Sequence, residues 1–268
     1  MIKNKIPKII HYCWFGNTSK SELALKCIES WKKHATDFQI VEWNESNYDV
    51  TKNRYMFQAY QNGMYAFVSD YARLDIIYKN GGIYLDVDVE MIKPIDELLD
   101  NEVFFGCDDD KYVATGLGFG AVKNNNHIKN IMSLYDNIDF VDKNNNFDTT
   151  SCPYRQTPYF ENLGFKISNT IQKIDNITIY PKDYFCPKNS NTHKINVTNN
   201  TLLIHHFDGS WLMKEERILN LIFNKHPILA NNFLLSKAIR FIIKSYYSGM
   251  ITTIKNHNNI INNNEGEK

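Results

Sequence analysis

Ser69-Asp70-Tyr71-Ala72-Arg73-Leu74-Asp75, followed by Gly81-Gly82-Ile83-Tyr84-Leu85-Asp86-Val87-Asp88, is the stretch on which the reading of this chain turns. It reads as an amphipathic helix, a glycine stop and a β-strand that closes on two carboxylates one residue apart. A hard divalent cation beside a diphosphate takes oxygen ligands from one or two carboxylates while the phosphates supply others. An Asp-x-Asp at a strand's carboxyl end offers that geometry, because ligand crevices of open α/β sheets lie just beyond such ends.

Upstream of this stretch, residues 53–79 are expected to be helical in two pieces broken near Gly63. Phe67, Tyr71, Leu74 and Tyr78 make one apolar stripe, and Asp70 and Arg73 sit three apart on another face. Ile6 to Phe15 is a β-like run closed by Gly16-Asn17. Ser19 or Ser21 then caps a helix through about His34, with Leu23, Cys27, Ile28 and Trp31 at helical spacing. A second strand is expected from Phe38 to Trp43. This alternation predicts an α/β sheet with parallel strands.

Downstream, a short helix is expected near Asp96 to Leu99 and a strand from Glu102 to Cys107. Gly116, Gly118 and Gly120 punctuate the run Thr115 to Ala121 without the dinucleotide fingerprint or the Gly-Lys-Ser/Thr ending of a phosphate loop. Helices are expected from about His127 to Tyr135 and from near Tyr154, and late strands at Ile177 to Tyr180 and Thr201 to His206. The domain reading is a catalytic unit over 1–214, a helical extension over 215–256 and a frayed, Asn-rich tail over 257–268.

Composition narrows the function. The chain has 268 residues, 43% of them apolar, and thirty basic residues balance thirty acidic ones. A balanced charge leaves no global field for nucleic acid, so no nucleic-acid partner is expected. Five widely spaced cysteines without a Cys-x-x-Cys pair argue for a reducing compartment and against zinc. The polar start carries no secretory signal, and no uncharged apolar run is long enough to span a bilayer. The expected location is the cytoplasm.

A lone Asp-x-Asp arises by chance in a chain of this size, and Asp108-Asp109-Asp110 contains another, read as a turn after a strand. Asp86 and Asp88 differ in context, following the buried-strand pattern Ile83-Tyr84-Leu85. Taken alone, Arg73 and Asp70 would be an ordinary helix-face ion pair, and Trp14 is either a core aromatic or a surface on which a base stacks.

The order Ile6-Pro7-Lys8-Ile9-Ile10-His11 with Trp14 and Gly16, then Ser69-Asp70 with Arg73, then Gly81 to Asp88, resembles the DXD-containing sugar-binding region of glycosyltransferase family 32. The resemblance is strong over about residues 6–100. It continues more weakly to about 215, where Leu203-Ile204-His205-His206-Phe207-Asp208-Gly209-Ser210-Trp211 looks like the family's closing His-containing and Ser-Trp element.

The resemblance implies a GT-A fold, a Rossmann-like nucleotide-binding sheet with flanking helices, here followed by the helical extension. It implies a retaining, hexosyl-transferring enzyme dependent on Mn2+ or Mg2+. The donor would be a nucleotide-sugar, UDP-linked by resemblance to the bacterial members or else GDP-mannose, and the acceptor a glycan of a capsule, O-antigen or exopolysaccharide. Asp86 and Asp88 take the positions of the metal and diphosphate aspartates, with Asp88 the direct ligand and Asp86 reaching the ribose or the sugar. Asp70 and Arg73 match the pair that holds the sugar hydroxyls and phosphate, and Trp14 the aromatic on the base. Ser210 and Trp211 fall on the donor-binding closing element. His206 is the expected third metal ligand and His205 its competitor, since adjacent strand residues face opposite ways. Catalytic roles thus fall on Asp86, Asp88 and Arg73. The alternatives are a toxin-like protein glycosyltransferase and a non-catalytic nucleotide-sugar or glycan-binding module.

Residues 228–255 carry a second signal. Phe233-Leu234-Leu235, Ile239, Phe241-Ile242-Ile243, Tyr246 and Tyr247 interleave with Lys237, Arg240, Lys244 and Lys255. A basic amphipathic helix of this kind either lies in a membrane interface, which suits a lipid-linked acceptor at the inner face of the cell membrane, or packs on the domain.

Overall fold

A computed structural model describes residues 5–108, 111–189, 194–209, 218, 219, 222, 226, 229, 234–243, 245 and 246. Nine strands and six α-helices are named among them: β1 (Ile9–Cys13), α1 (Glu22–His34), β2 (Gln39–Trp43), α2 (Arg54–Gln61), α3 (Tyr65–Asn80), β3 (Gly82–Tyr84), β4 (Val89–Met91), β5 (Val103–Asp108), β6 (Tyr112–Ala121), α4 (Asn126–Met132), α5 (Cys152–Asn162), β7 (Gln172–Ile174), β8 (Ile177–Tyr180), α6 (Lys182–Phe185) and β9 (Leu203–His205). The contacts divide the chain into two units, Met1–Asp208 and Gly209–Lys268. Every named element lies in the first.

Seven strands form one sheet in the order β2-β1-β3-β6-β5-β8-β7, and β4 pairs with β9 in a separate two-stranded ribbon. The pairings β1 with β2, β1 with β3 and β5 with β8 are parallel, but β3 with β6, β5 with β6 and β7 with β8 are antiparallel. The parallel strands expected from the upstream alternation are present in β1, β2 and β3, and the antiparallel pairings of β6 and β7 make the whole sheet mixed. The cause lies in the glycine-punctuated run, which is not a connector but the body of the ten-residue strand β6, turning straight back on β5.

Strand alternation splits the buried side chains of the sheet between two layers. Tyr84, Phe105 and Phe119 pack with α3, whereas Ile10, Ile83, Leu85 and Phe104 pack with Cys27, Ile28 and Trp31 of α1. The connection from β1 to β2 thus crosses one face, and the connection from β2 to β3 crosses the other. Their divergence makes the carboxyl ends of β1 and β3 a topological switch point, where open α/β sheets form their ligand crevice. Trp14 follows one of these ends and Asp86 the other.

Local chemistry fixes this geometry. The Ser21 hydroxyl caps α1 by accepting from the Ala24 N–H, as a serine at an N-cap does. The break near Gly63 falls between α2 and α3 as expected. α3 is buried nearly all round, from Phe67 to Ile77 with the exception of Ser69. Its apolar stripe therefore covers only part of what it buries, and Asp70 and Arg73 lie inside as well. Gly82 has φ +99°, and a Cβ there would stand 2.7 Å from the Ile9 carbonyl, so only glycine lets β3 lie this close to β1. Behind it, Trp43 Nε1 donates to His11 Nδ1 at 3.0 Å, leaving His11 Nε2–H to donate to the Gly81 carbonyl at 3.0 Å. Burial pushes the His11 pKa down to about 4, so this clamp is the neutral imidazole.

α1 is tied to the short ribbon. The fully buried Trp31 donates its indole N–H to the Val89 carbonyl at 2.7 Å, and Met91 N–H donates to the Ser30 hydroxyl at 2.9 Å. Burying a side chain of this size is worth several kcal/mol, roughly 3–5 on truncation to alanine. All five cysteines are buried. Among the described residues, no helix is long and apolar enough to cross a membrane.

Candidate active site

The residues of the Asp-x-Asp occupy a turn rather than the strand itself. Leu85 N–H donates to the His11 carbonyl at 3.1 Å and extends the β3 pairing by one residue. Val89 N–H then closes the turn on the Asp86 carbonyl at 3.0 Å, and the chain enters β4. The register of the ribbon sets Val89 opposite His205. His206 N–H donates to the Asp88 carbonyl at 2.9 Å, and Asp208 N–H to Asp88 Oδ2 at 2.9 Å. The Asp88 carboxylate is thereby fixed before any ligand arrives.

Asp86, Asp88 and His205 each offer one ligand atom, and these atoms lie within 4.8 Å of one another. His205 Nε2 is 3.4 Å from Asp88 Oδ1, while its Nδ1 is buried without a hydrogen-bond partner. One imidazole clustered with two carboxylates fits a divalent-cation centre. The oxygen-rich set with one nitrogen suits manganese at least as well as magnesium, which prefers oxygen throughout.

The first choice of histidine needs correction on this geometry. His206 Nε2 sits 2.7 Å from Glu90 Oε2, and Lys26 holds the same Glu90 oxygen at 2.9 Å. Adjacent residues on β9 and its extension diverge, so only His205 faces Asp88.

Behind Asp86 lies a buried ion cluster. Arg73 Nη2 is 3.1 Å from Asp70 Oδ1 and 3.4 Å from Asp86 Oδ1, and its Nε donates to the Ser69 carbonyl at 2.9 Å. The guanidinium lies 5.1 Å from the centre of the Tyr84 ring, whose hydroxyl donates to Asp86 Oδ1 at 3.0 Å. Arg73 is thus a buried residue between two acids and not a surface helix pair.

The electrostatics follow from burial and neighbours. Burial pushes the Asp70 carboxyl up to about 6, against the pull of Arg73. Burial likewise raises Asp86, again opposed by Arg73. At Asp88 burial also acts upward, but the charge and hydrogen bond of His205 and the Asp208 N–H outweigh it and hold the carboxyl well below the usual range. Burial acts downward on His205 and is outweighed by Asp88, which raises it. Asp70, Asp86 and Asp88 carry three acidic charges against Arg73 and His205, a balance that favours a cationic ligand.

Two members of this site were not assigned in the sequence. Tyr84 stood inside the motif as a strand aromatic. Gly116, on β6, faces the cluster: a Cβ there would meet Asp86 Oδ2 at 2.7 Å and Arg73 Nη1 at 3.3 Å. A glycine inside a strand marks such a close approach, and that was the available signal. Gly116→Ala is expected to displace the Asp86 carboxylate and lower turnover at least about tenfold, a barrier change of about 1.4 kcal/mol. Because the displaced carboxylate is held by Arg73 and Tyr84, the melting temperature should fall as well. Unchanged kinetics would mean that turnover does not depend on the position of the Asp86 carboxylate.

The remaining sequence assignments fall as follows. Trp14 is half-buried beyond the end of β1, its indole N–H donating to the Thr18 carbonyl at 2.7 Å and its ring 5.7 Å from the Lys20 ammonium. Ser210 and Trp211 lie outside the described residues, as do Asp109 and Asp110.

The raised carboxyl of Asp70 has a measurable consequence. Its folded pKa lies above its unfolded value near 4, so the stability it contributes is present below about pH 4 and lost as pH rises through about 6. In chelator, Asp70→Asn is expected to remove this component, on the order of 2 kcal/mol between pH 4 and 7. Denaturant melts across that window, wild type against variant, measure it; parallel stability curves would contradict the buried, ionising Asp70.

Against known proteins, residues 21–105 match the family described as "Glycosyltransferase sugar-binding region containing DXD motif". The match spans Asp70, Arg73, Asp86 and Asp88, leaving Ile6 to Gly16 and the 203–211 element outside it. Among solved structures, one described as "PaToxG Glycosyltransferase" is similar at 19% identity with a TM-score of 0.39, over 48% of this chain and 59% of its own. This chain therefore spans less than two thirds of that relative. A "glycosyltransferase involved in the glycosylation of the major capsid of PBCV-1" aligns at 14% identity and TM-score 0.43, over 79% of this chain and 97% of its own. No curated protein matches the chain. Residues 21–105 thus match a DXD-type glycosyltransferase sugar-binding region, and they lie on a mixed α/β sheet flanked by helices.

Proposed function

We propose that this chain is a divalent-cation-dependent, retaining glycosyltransferase that moves a hexose from a UDP-sugar to a lipid-linked glycan of a bacterial surface polysaccharide. The observation that carries the catalytic part is the convergence of Asp86, Asp88 and His205 beside the buried Arg73 at a sheet switch point. The choice of UDP and of the polysaccharide rests on the resemblance to family 32 described above.

Breaking a sugar–diphosphate bond builds negative charge on the leaving phosphate and positive charge at the anomeric carbon. A cation held by Asp86, Asp88 and His205 would supply Lewis acidity toward the leaving diphosphate. Arg73 contributes charge-assisted hydrogen bonds to the sugar or phosphate from a guanidinium already oriented by Asp70 and Ser69. Asp70 and Asp86, held by Arg73 and Tyr84, accept from donor hydroxyls. These restraints leave neither acid free to swing into a covalent role, which supports front-face attack. The acceptor oxygen bonds the anomeric carbon on the face that the diphosphate leaves, and its proton passes to the departing phosphate oxygen.

Retention has its own test. In the absence of acceptor, nuclear magnetic resonance of the sugar first released from a hydrolysed UDP-sugar should show the donor's α-anomer before mutarotation; the β-anomer would contradict the mechanism.

The lipid-linked acceptor draws support from the second unit. Residues 234–243, 245 and 246 are helical, and Leu234, Phe241, Ile242 and Tyr246 stand exposed there, at 64% or more, with Lys237 and Arg240 between them. Phe233, Lys244, Tyr247 and Lys255 lie outside the described residues. Apolar bulk with flanking cations is the pattern of interfacial helices on anionic lipid. Flotation with phosphatidylglycerol vesicles should recover wild type and lose Phe241→Glu/Ile242→Glu; equal recovery of both would remove the membrane from the proposal.

A further inference from the structure

Lys188 follows α6 on a short two-stranded arm. It bridges antiparallel to Ile195, with Asn189 N–H donating to the Lys194 carbonyl at 2.9 Å and Asn196 N–H to the Pro187 carbonyl at 3.1 Å. The arm carries the lysine to the candidate active site. Its ammonium donates to the carbonyl of His206, the residue whose own N–H is bonded to Asp88 and which directly follows His205. Asp88 and Asp208 are the carboxylates whose charges act on it.

The contact is unusual in kind. The other cations around this centre meet acids: Arg73 meets Asp70 and Asp86, His205 meets Asp88, and Lys26 meets Glu90. Lys188, half-buried and partly desolvated, meets a neutral backbone oxygen among the described residues. An ammonium has three N–H donors, and the carbonyl takes one. Burial draws its pKa down, with the charge of Asp88 opposing that shift.

We propose that Lys188 contacts the substrate, donating to the phosphate that bears the donor sugar and taking up charge on that phosphate as the glycosidic bond breaks. The inference rests on the nucleotide-sugar reading above and extends it to a residue outside the matched segment. The arm would bring a positive charge to the leaving group, while its bond to His206 keeps it in register with Asp88.

The distal phosphate is what separates a nucleoside diphosphate from the monophosphate, so the ratio of the two affinities reports on this contact. Calorimetric titrations of UDP and UMP, and of GDP and GMP, with and without Mn2+, would be run on wild type, Lys188→Met and Lys188→Arg. Lys188→Met keeps the stem and is expected to weaken the diphosphate at least about tenfold while leaving the monophosphate within about twofold, the loss of one charge-assisted hydrogen bond. Lys188→Arg should recover part of the difference. Equal weakening of diphosphate and monophosphate would show a structural role through His206 and overturn the inference. So would unchanged affinity for both. Wild type binding none of the four nucleotides would overturn the donor reading and the inference with it, a result distinct from either outcome above.

Discussion

An Asp88→Asn variant is expected to keep its fold and lose transfer at least about a hundredfold, a barrier increase near 2.7 kcal/mol. Asparagine matches the volume, and its amide oxygen can still accept from the Asp208 N–H that Asp88 Oδ2 accepts at 2.9 Å. What disappears is the charge beside His205, which is the anionic ligand a hard cation requires. The variant should therefore also lose the stabilisation that a bound ion confers. At a hundred times its dissociation constant that is about 2.7 kcal/mol, so wild type should melt higher in Mn2+ and Asp88→Asn should not. Loss of activity together with an intact manganese shift would move the cation elsewhere. Turnover above about a tenth of wild type would argue against direct coordination.

The second large effect is expected at Arg73. Its guanidinium makes contacts to Ser69, Asp70 and Asp86 and lies over Tyr84. Arg73→Met leaves two buried or half-buried acids without their cation, and breaking such a cluster from one side costs roughly 3–5 kcal/mol. The loss should be smaller at low pH, where Asp70, already pushed up to about 6, can take a proton. Arg73→Lys should recover little, because one ammonium cannot reproduce a planar fork that spans several acceptors. Chemical denaturation at pH 5 and pH 7.5 with turnover alongside provides the measurement. A variant as stable as wild type at both pH values would mean that the cluster is not an energetic unit.

The parts of this site set by local sequence were legible. The break at Gly63, the helix carrying Asp70 and Arg73 and the strand leading to Asp86 and Asp88 all follow from periodicity and glycine placement within one short stretch. The parts set by pairing between distant strands were not. Whether His205 or His206 faces Asp88 depends on the register of β9 against β4, and a shift of one residue would exchange them. The run around Gly116 carries no strand assignment in the sequence because a ten-residue strand with three glycines violates strand propensity. The close approach of Gly116 to Asp86 explains one of those violations. The antiparallel β6 likewise hid the mixed sheet, since alternation of helices and strands upstream says nothing about a strand that turns straight back. Arg73 looked like a surface ion pair because its burial comes from β6 and Cys152 of α5, whose thiol is 3.9 Å away.

The central claim is that this centre uses a divalent cation to break a nucleotide-sugar bond. Its most direct test is release of nucleoside diphosphate from a panel of UDP-sugars and GDP-mannose, with Mn2+ or with chelator, by wild type and Asp88→Asn. The account predicts release from one donor, abolished by chelation and absent in the variant. Release that persists in chelator, or that Asp88→Asn supports equally well, would contradict it.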